Sequence, residues 1–286
     1  MRLAHAITSS VIAGLLVFST AAPGTAAPND LPSVQADELG KASSMLALIN
    51  PSTKLSPEDY TPKDLVNVAG TSVTLRPEAA EAVEALVADA RKAGHSIKVL
   101  SAFRSYQRQS ALFNQYQSKY GTAYAERISA RPGTSEHQLG LAADLGYTNS
   151  YAELKEAFGQ TPAGQWIAKH AVDYGLIIRY PVGMESITGY KYEPWHVRYI
   201  GEEQAKAMAA SGAKTYEEYY SMLKKQAQKE AKATDEAKVP EVEQKKPESK
   251  STEGTAKPGS GVLQKDDLIV LRFLPPYRDW SFGFIP

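Results

Sequence analysis

The stretch S-E-H-Q-L-G-L-A-A-D, Ser135 to Asp144, decides how this chain is read. From Leu141 onward, Leu141, Ala143 and Leu145 alternate with Ala142 and Asp144, the period of a strand with one face turned to a core. On that reading Asp144 projects from a sheet face otherwise made of small residues, which leaves room beside it for a metal and a ligand. Gly140, just ahead of the strand, lets the chain bend and would bring His137 back over Asp144.

Working outward, Pro77 to Ala93 is predicted helical. Proline lies in its first turn, Val83, Leu86, Val87 and Ala90 keep helical spacing, and Gly94 follows Arg91 and Lys92 as a stop. Ile97 to Ala102 reads as a strand. Ser105 is placed to cap a second helix carrying Leu112, Phe113, Tyr116 and Tyr120, with Gly121 ending it. A further helix is expected from Thr161-Pro162 to Gly175, and Leu176 to Tyr180 and Trp195 to Ile200 are predicted strands. Helices and strands alternate irregularly, without repeated strand–helix–strand units. The expected class is therefore α+β, with a small, mostly antiparallel sheet flanked by helices.

The two ends read differently from this middle. Arg2, the apolar run Val11 to Ala22 and the small residues Thr25, Ala26 and Ala27 have the form of a secretory signal cleaved near Ala27. That run is too short to span a membrane, and no spanning segment is expected in the mature protein. Lys224 to Pro258 has no aromatic residue and no sustained apolar stripe, so a short helical extension followed by a disordered linker is expected. The predicted organisation is a signal at 1–27, one folded domain at 28–223 and a charged tail at 224–286. The protein would be secreted and associated with the cell wall.

Composition narrows the chemistry. Basic and acidic side chains number 32 each, which removes the broad electrostatic argument for nucleic acid or an anionic membrane as the main partner. The neutrality averages a slightly basic tail with a slightly acidic domain. No cysteine is present, so disulfides, thiol nucleophiles, iron–sulfur clusters and thiolate zinc sites are excluded. Any transition metal must be held by histidine and carboxylate.

There are five histidines. His5 lies in the signal, His95 follows a helix stop, and His170 falls on the inner side of a predicted helix, where packing or hydrogen bonding explains it. His137 and His196 remain, the latter closing E-P-W-H, Glu193 to His196. Their spacing is not that of helical zinc peptidases, which place two histidines one turn apart. In a regular strand Glu193 and His196 would face opposite sides, so a bend at Pro194 is needed for both to reach one site.

Taken in order, these segments resemble the VanY-like D-alanyl-D-alanine carboxypeptidases, bacterial zinc peptidases of cell-wall peptides. The likeness runs through D-Y-T-P-K-D-L-V (Asp59 to Val66), S-A-F-R-S-Y-Q-R-Q (Ser101 to Gln109), R-P-G-T-S-E-H-Q-L-G-L-A-A-D (Arg131 to Asp144), I-I-R-Y-P (Ile177 to Pro181) and E-P-W-H-V-R-Y (Glu193 to Tyr199). It covers about Leu48 to Tyr219. It implies that His137, Asp144 and His196 bind zinc on one sheet face, that Glu193 is the general base and acid, and that Arg104, Gln109 and Ser135 surround the substrate. Three nitrogen or oxygen ligands with a fourth position left for water is the catalytic kind of zinc site. Arg104 suits either the terminal carboxylate of a peptide or the oxyanion formed during attack; Arg179 and Trp195 read as supports.

The implied activity is hydrolysis of the terminal D-Ala of peptidoglycan stem peptides by a zinc-dependent D,D-carboxypeptidase. An L,D-carboxypeptidase or a peptidoglycan endopeptidase would use the same zinc, water and glutamate. A non-catalytic, zinc-stabilised wall-binding module is the alternative from another class.

Overall fold

The computed structural model describes residues 31–147 and 154–237; the expected signal and most of the expected tail lie outside these. The centre is a four-stranded antiparallel sheet of β3 (Lys98–Ser101), β4 (Ala142–Gly146), β5 (Leu176–Ile178) and β6 (His196–Tyr199), in the spatial order β3-β4-β6-β5. A two-stranded ribbon, β1 (Val66–Asn67) with β2 (Thr74–Leu75), stands apart from it. This is the α+β arrangement expected from the sequence.

The alternation around Asp144 sorts the two faces. Leu141, Ala143, Leu145 and Val197 join one apolar cluster with Ala79, Val83 and Leu86 of α2 (Pro77–Lys92) and Ile167 of α5 (Pro162–His170). Burying a leucine-sized side chain contributes about 1.5–3 kcal/mol, so this face anchors β4 and holds its register. The register then fixes the other face: Asp144 pairs with His196 across β4 and β6 and with Ser101 across β3 and β4. Directly opposed residues share a face, so Asp144 and His196 emerge side by side.

α3 (Tyr106–Tyr120) begins as predicted, with the Ser105 hydroxyl accepting a hydrogen bond from Arg108 N at 3.2 Å. It packs against α4 (Thr122–Ile128), while α1 (Ala36–Leu39) and α6 (Glu185–Thr188) are single turns. After α5 the chain tightens into a 3₁₀ turn, Ala171–Tyr174, and Gly175 closes it at φ 72°. His170 is half-buried; its Nδ1 lies 2.8 Å from Trp166 O and its ring stacks on the indole, a structural role.

A second apolar cluster joins Ile177 and Ile200 of the sheet region to α7 (Glu202–Ser211) and α8 (Tyr216–Ala237). α8 runs past Leu223, the end of the expected domain, as the expected helical extension, and Ala227 on it is buried. Tyr216, Tyr219, Leu223 and Ala227 form one helical stripe that carries the folded unit past the change in composition. Gln226 also reaches back to donate to Leu31 O at 2.9 Å. No helix among the described residues is long and apolar enough to cross a membrane.

Candidate metal centre

His137 sits on a 3₁₀ turn, Glu136–Leu139, that ends at Gly140 with φ 67°. This left-handed glycine is the bend expected from the sequence, and it swings the imidazole over β4. His137 Nδ1 lies 2.7 Å from Ala102 O, which fixes the proton on that nitrogen and leaves Nε2 free, 3.3 Å from Asp144 Oδ2. His196 Nδ1 lies 3.3 Å from Asp144 Oδ1. The two imidazoles meet edge to face with ring centres 4.9 Å apart. Ligand atoms of His137, Asp144 and His196 all fall within 4.8 Å of one another, and all three residues are buried.

These donors fit a divalent metal. Asp144 Oδ1 is buried without a hydrogen-bond partner, and two imidazole nitrogens plus a carboxylate are the donor set of an open zinc site. Burial pushes the Asp144 carboxyl up, but His137 and His196 outweigh it and hold the group well below the usual carboxylate range. Burial keeps His137 below its ordinary value and hence neutral, the form that donates a lone pair. Burial likewise pulls His196 down, but Asp144 and Glu136 hold it up to about 9, so a metal must displace a proton there.

Glu193 reaches the same place through the bend at Pro194. His196 N donates to Glu193 O at 3.1 Å, closing a turn that puts both side chains on one side. The Glu193 carboxylate lies 3.6 Å from His196 Nδ1, with about a fifth of the side chain open. Burial pushes its pKa up to about 7.

Arg104 borders the cluster, with Nη2 3.9 Å from Asp144 Oδ2 and Nη1 donating to Gln109 Oε1 at 2.9 Å. Gln109 itself is placed differently from the expectation that it contacts substrate. It is fully buried, and its Nε2 is spent on Ser129 Oγ (3.1 Å) and Ala130 O (2.7 Å). It stands behind Arg104 and clamps α3 to the end of α4. Ser135 lines the cleft beside Glu136 and His137, and Trp195 lies on its wall. The cleft holds about 660 Å³, with Tyr180, Tyr190 and Tyr192 among its lining residues.

One group was passed over in the sequence. Glu136 is fully buried; its Oε1 accepts from Arg179 Nε (2.8 Å) and Arg198 Nη1 (2.7 Å), while Oε2 faces His196 Nε2 at 3.7 Å. Burial pushes this carboxyl up, yet the two guanidinium groups hold it far below its ordinary value. Arg179 is also paired to Glu217 of α8 at 2.6 and 2.9 Å, so Arg179 is indeed a support. The available signal was that Arg198, two residues after His196 on one strand, shares its face.

Known proteins place this arrangement. The profile of the family described as VanY, D-alanyl-D-alanine carboxypeptidase, matches residues 72–202. YodJ of Bacillus subtilis (strain 168), which carries a carboxypeptidase name, is 39% identical over 207 residues, 69% of this chain and 75% of that protein. The solved structure of the LdcB LD-carboxypeptidase is 38% identical with a TM-score of 0.58, covering 68% of this chain and 94% of that one. A glutamate-to-alanine mutant of the D,D-pentapeptidase VanY from a VanB-type resistance cassette, solved with Zn(II), is 27% identical with a TM-score of 0.52 and coverages of 63% and 99%. This chain belongs to the VanY family of D-alanyl-D-alanine carboxypeptidases.

Proposed function

We propose that this protein is an exported, zinc-dependent D,D-carboxypeptidase that removes the terminal D-Ala from peptidoglycan stem peptides. The observation that carries the reading is the convergence of His137, Asp144 and His196 within 4.8 Å, with the Glu193 carboxylate 3.6 Å from His196 in an open cleft. His137 Nε2, the Asp144 carboxylate and His196 Nδ1 would hold the ion. When bound, zinc supplies Lewis-acid activation, lowering the pKa of a coordinated water from about 15.7 towards roughly 7.

The chain's own groups do the rest. Glu193, whose raised pKa of about 7 matches neutral working conditions, accepts the proton of the attacking water and returns it to the departing D-Ala amine. Arg104, held in place by Gln109, supplies fixed positive charge for the anionic end of the substrate. Ser135 offers a hydroxyl on the cleft wall. Residues 1–27 would direct export, and the charged segment that follows α8 would act as a spacer.

A metal kept only for folding has no need of a raised-pKa carboxyl beside it in a cleft, which disfavours a purely binding module. Removal of D-Ala from tetrapeptide stems, an L,D-activity, is the second reading; the higher identity to LdcB, 38% against 27%, favours it. Incubating the purified zinc protein with defined tri-, tetra- and pentapeptide stems and weighing the products decides. Loss of one D-Ala from the pentapeptide alone is expected. Cleavage of the tetrapeptide alone establishes the second reading, and no release of D-alanine from any of them overturns both.

A further inference from the structure

Arg108 of α3 and Arg127 of α4 line the cleft, are exposed, and have no acidic partner among the described residues. Their neighbours do not neutralise them: Glu126 is taken by Arg131 Nε at 2.9 Å. Of the acids lining the cleft, Asp144, Glu136 and Glu193 belong to the metal centre, and Glu156 pairs with neither arginine. Two cations that line one cleft without an acidic partner among the described residues favour an anion there.

The backbone that carries them is tied together at one junction. The buried amide of Gln109 accepts from Arg104 and donates to Ser129 and Ala130. Arg108 precedes Gln109 in sequence, and Arg127 lies two residues before Ser129. Both are therefore carried by the junction that also fixes Arg104 at the edge of the metal centre. A basic wall leads from Arg104 onto α3 and α4.

We infer that Arg108 and Arg127 form a subsite for a substrate carboxylate upstream of the scissile bond. The inference rests on the proposed function for its ligand. In stem peptides D-glutamate is joined through its side-chain carboxyl, so its α-carboxyl is either a free carboxylate or an amide. The subsite recognises the free carboxylate through charge-assisted, fork-shaped hydrogen bonds that an amide cannot match.

The test compares two pentapeptides that differ only in that group, measuring kcat/KM for the wild type and for Arg108→Gln/Arg127→Gln. In parallel, their Kd values are measured by calorimetry on Glu193→Gln, which needs no hydrolysis. Both arginines are exposed, and a thermal melt checks that the double variant is folded. The wild type is expected to favour the carboxylate peptide about tenfold, mainly through KM, and the double variant to lose the preference. Equal handling of both peptides by the wild type, or a preference that survives in the double variant, overturns the subsite. Discrimination in Kd without cleavage of either peptide upholds the subsite and removes the proposed hydrolysis instead.

Discussion

Replacing Glu136 by glutamine keeps the side chain's shape and removes one negative charge from the interior. In the native site Oε1 accepts bonds of 2.8 and 2.7 Å from Arg179 and Arg198, all three side chains being fully buried. Arg179 keeps Glu217 as a counter-charge after the change. Arg198 keeps the carbonyls of Met45, Ala47 and Tyr199 and the Tyr216 ring, but no other acid among the described residues. Leaving one buried guanidinium without its acid costs about 3–5 kcal/mol. At roughly 2–4 °C per kcal/mol for a domain of this size, Tm should fall by about 6–20 °C. The sign with pH follows from the depressed Glu136 pKa: its stabilisation is fully present above the ordinary 4.5 and is lost only as pH drops through the folded value. The gap between wild type and variant should therefore persist from pH 8 to pH 5. Urea unfolding of the metal-free proteins across that range measures it, and metal competition should show about 10–100-fold weaker zinc binding through His196. A loss below about 1 kcal/mol, or a gap that closes by pH 6, refutes the argument.

Gln109→Ala should release Arg104 and loosen the α3–α4 junction, costing about 1–3 kcal/mol in denaturant melts and lowering kcat/KM by roughly 10–100-fold, with zinc stoichiometry retained. Gly140→Ala forces a side chain onto φ +67° and puts its Cβ 2.9 Å from Leu65 Cδ2; about 1–3 kcal/mol of stability should go, and zinc affinity with it, because this turn sets His137 over Asp144. In the metal-free protein Glu193 is raised from 4.5 to about 7, so its buried charge burdens the fold above pH 7 and not below pH 4.5. Glu193→Gln should then melt higher than wild type at pH 8, by up to about 3 kcal/mol, and match it near pH 4.5.

The strand bearing Asp144 was legible because alternation of Leu141, Ala143 and Leu145 is local, and so were the Ser105 cap, the Gly140 bend and the turn at Pro194. Each depends on a few adjacent residues and on backbone chemistry that sequence carries directly. Glu136 was not legible, because its burial depends on Arg179, Arg198 and Glu217 arriving from the turn after β5, from β6 and from α8. The family resemblance grouped Arg104 and Gln109 around one site, and the structure joins them by a 2.9 Å hydrogen bond. Which of them faces the cleft depends on α4, whose end supplies Ser129 and Ala130 to fill the amide's hydrogen bonds. The helical extension past Lys224 was legible as such, but its apolar stripe, which continues through Ala227, was not, because composition changes at Lys224.

The central claim is that Glu193 moves the proton while His137, Asp144 and His196 hold the metal, and it is tested most directly by D-alanine release from a pentapeptide stem by zinc-loaded wild type and Glu193→Gln, each with its zinc content measured. The account predicts one zinc per chain in both proteins and a rate about 10²–10⁴-fold lower in the variant. Near-wild-type release by the variant, or loss of its zinc, contradicts it.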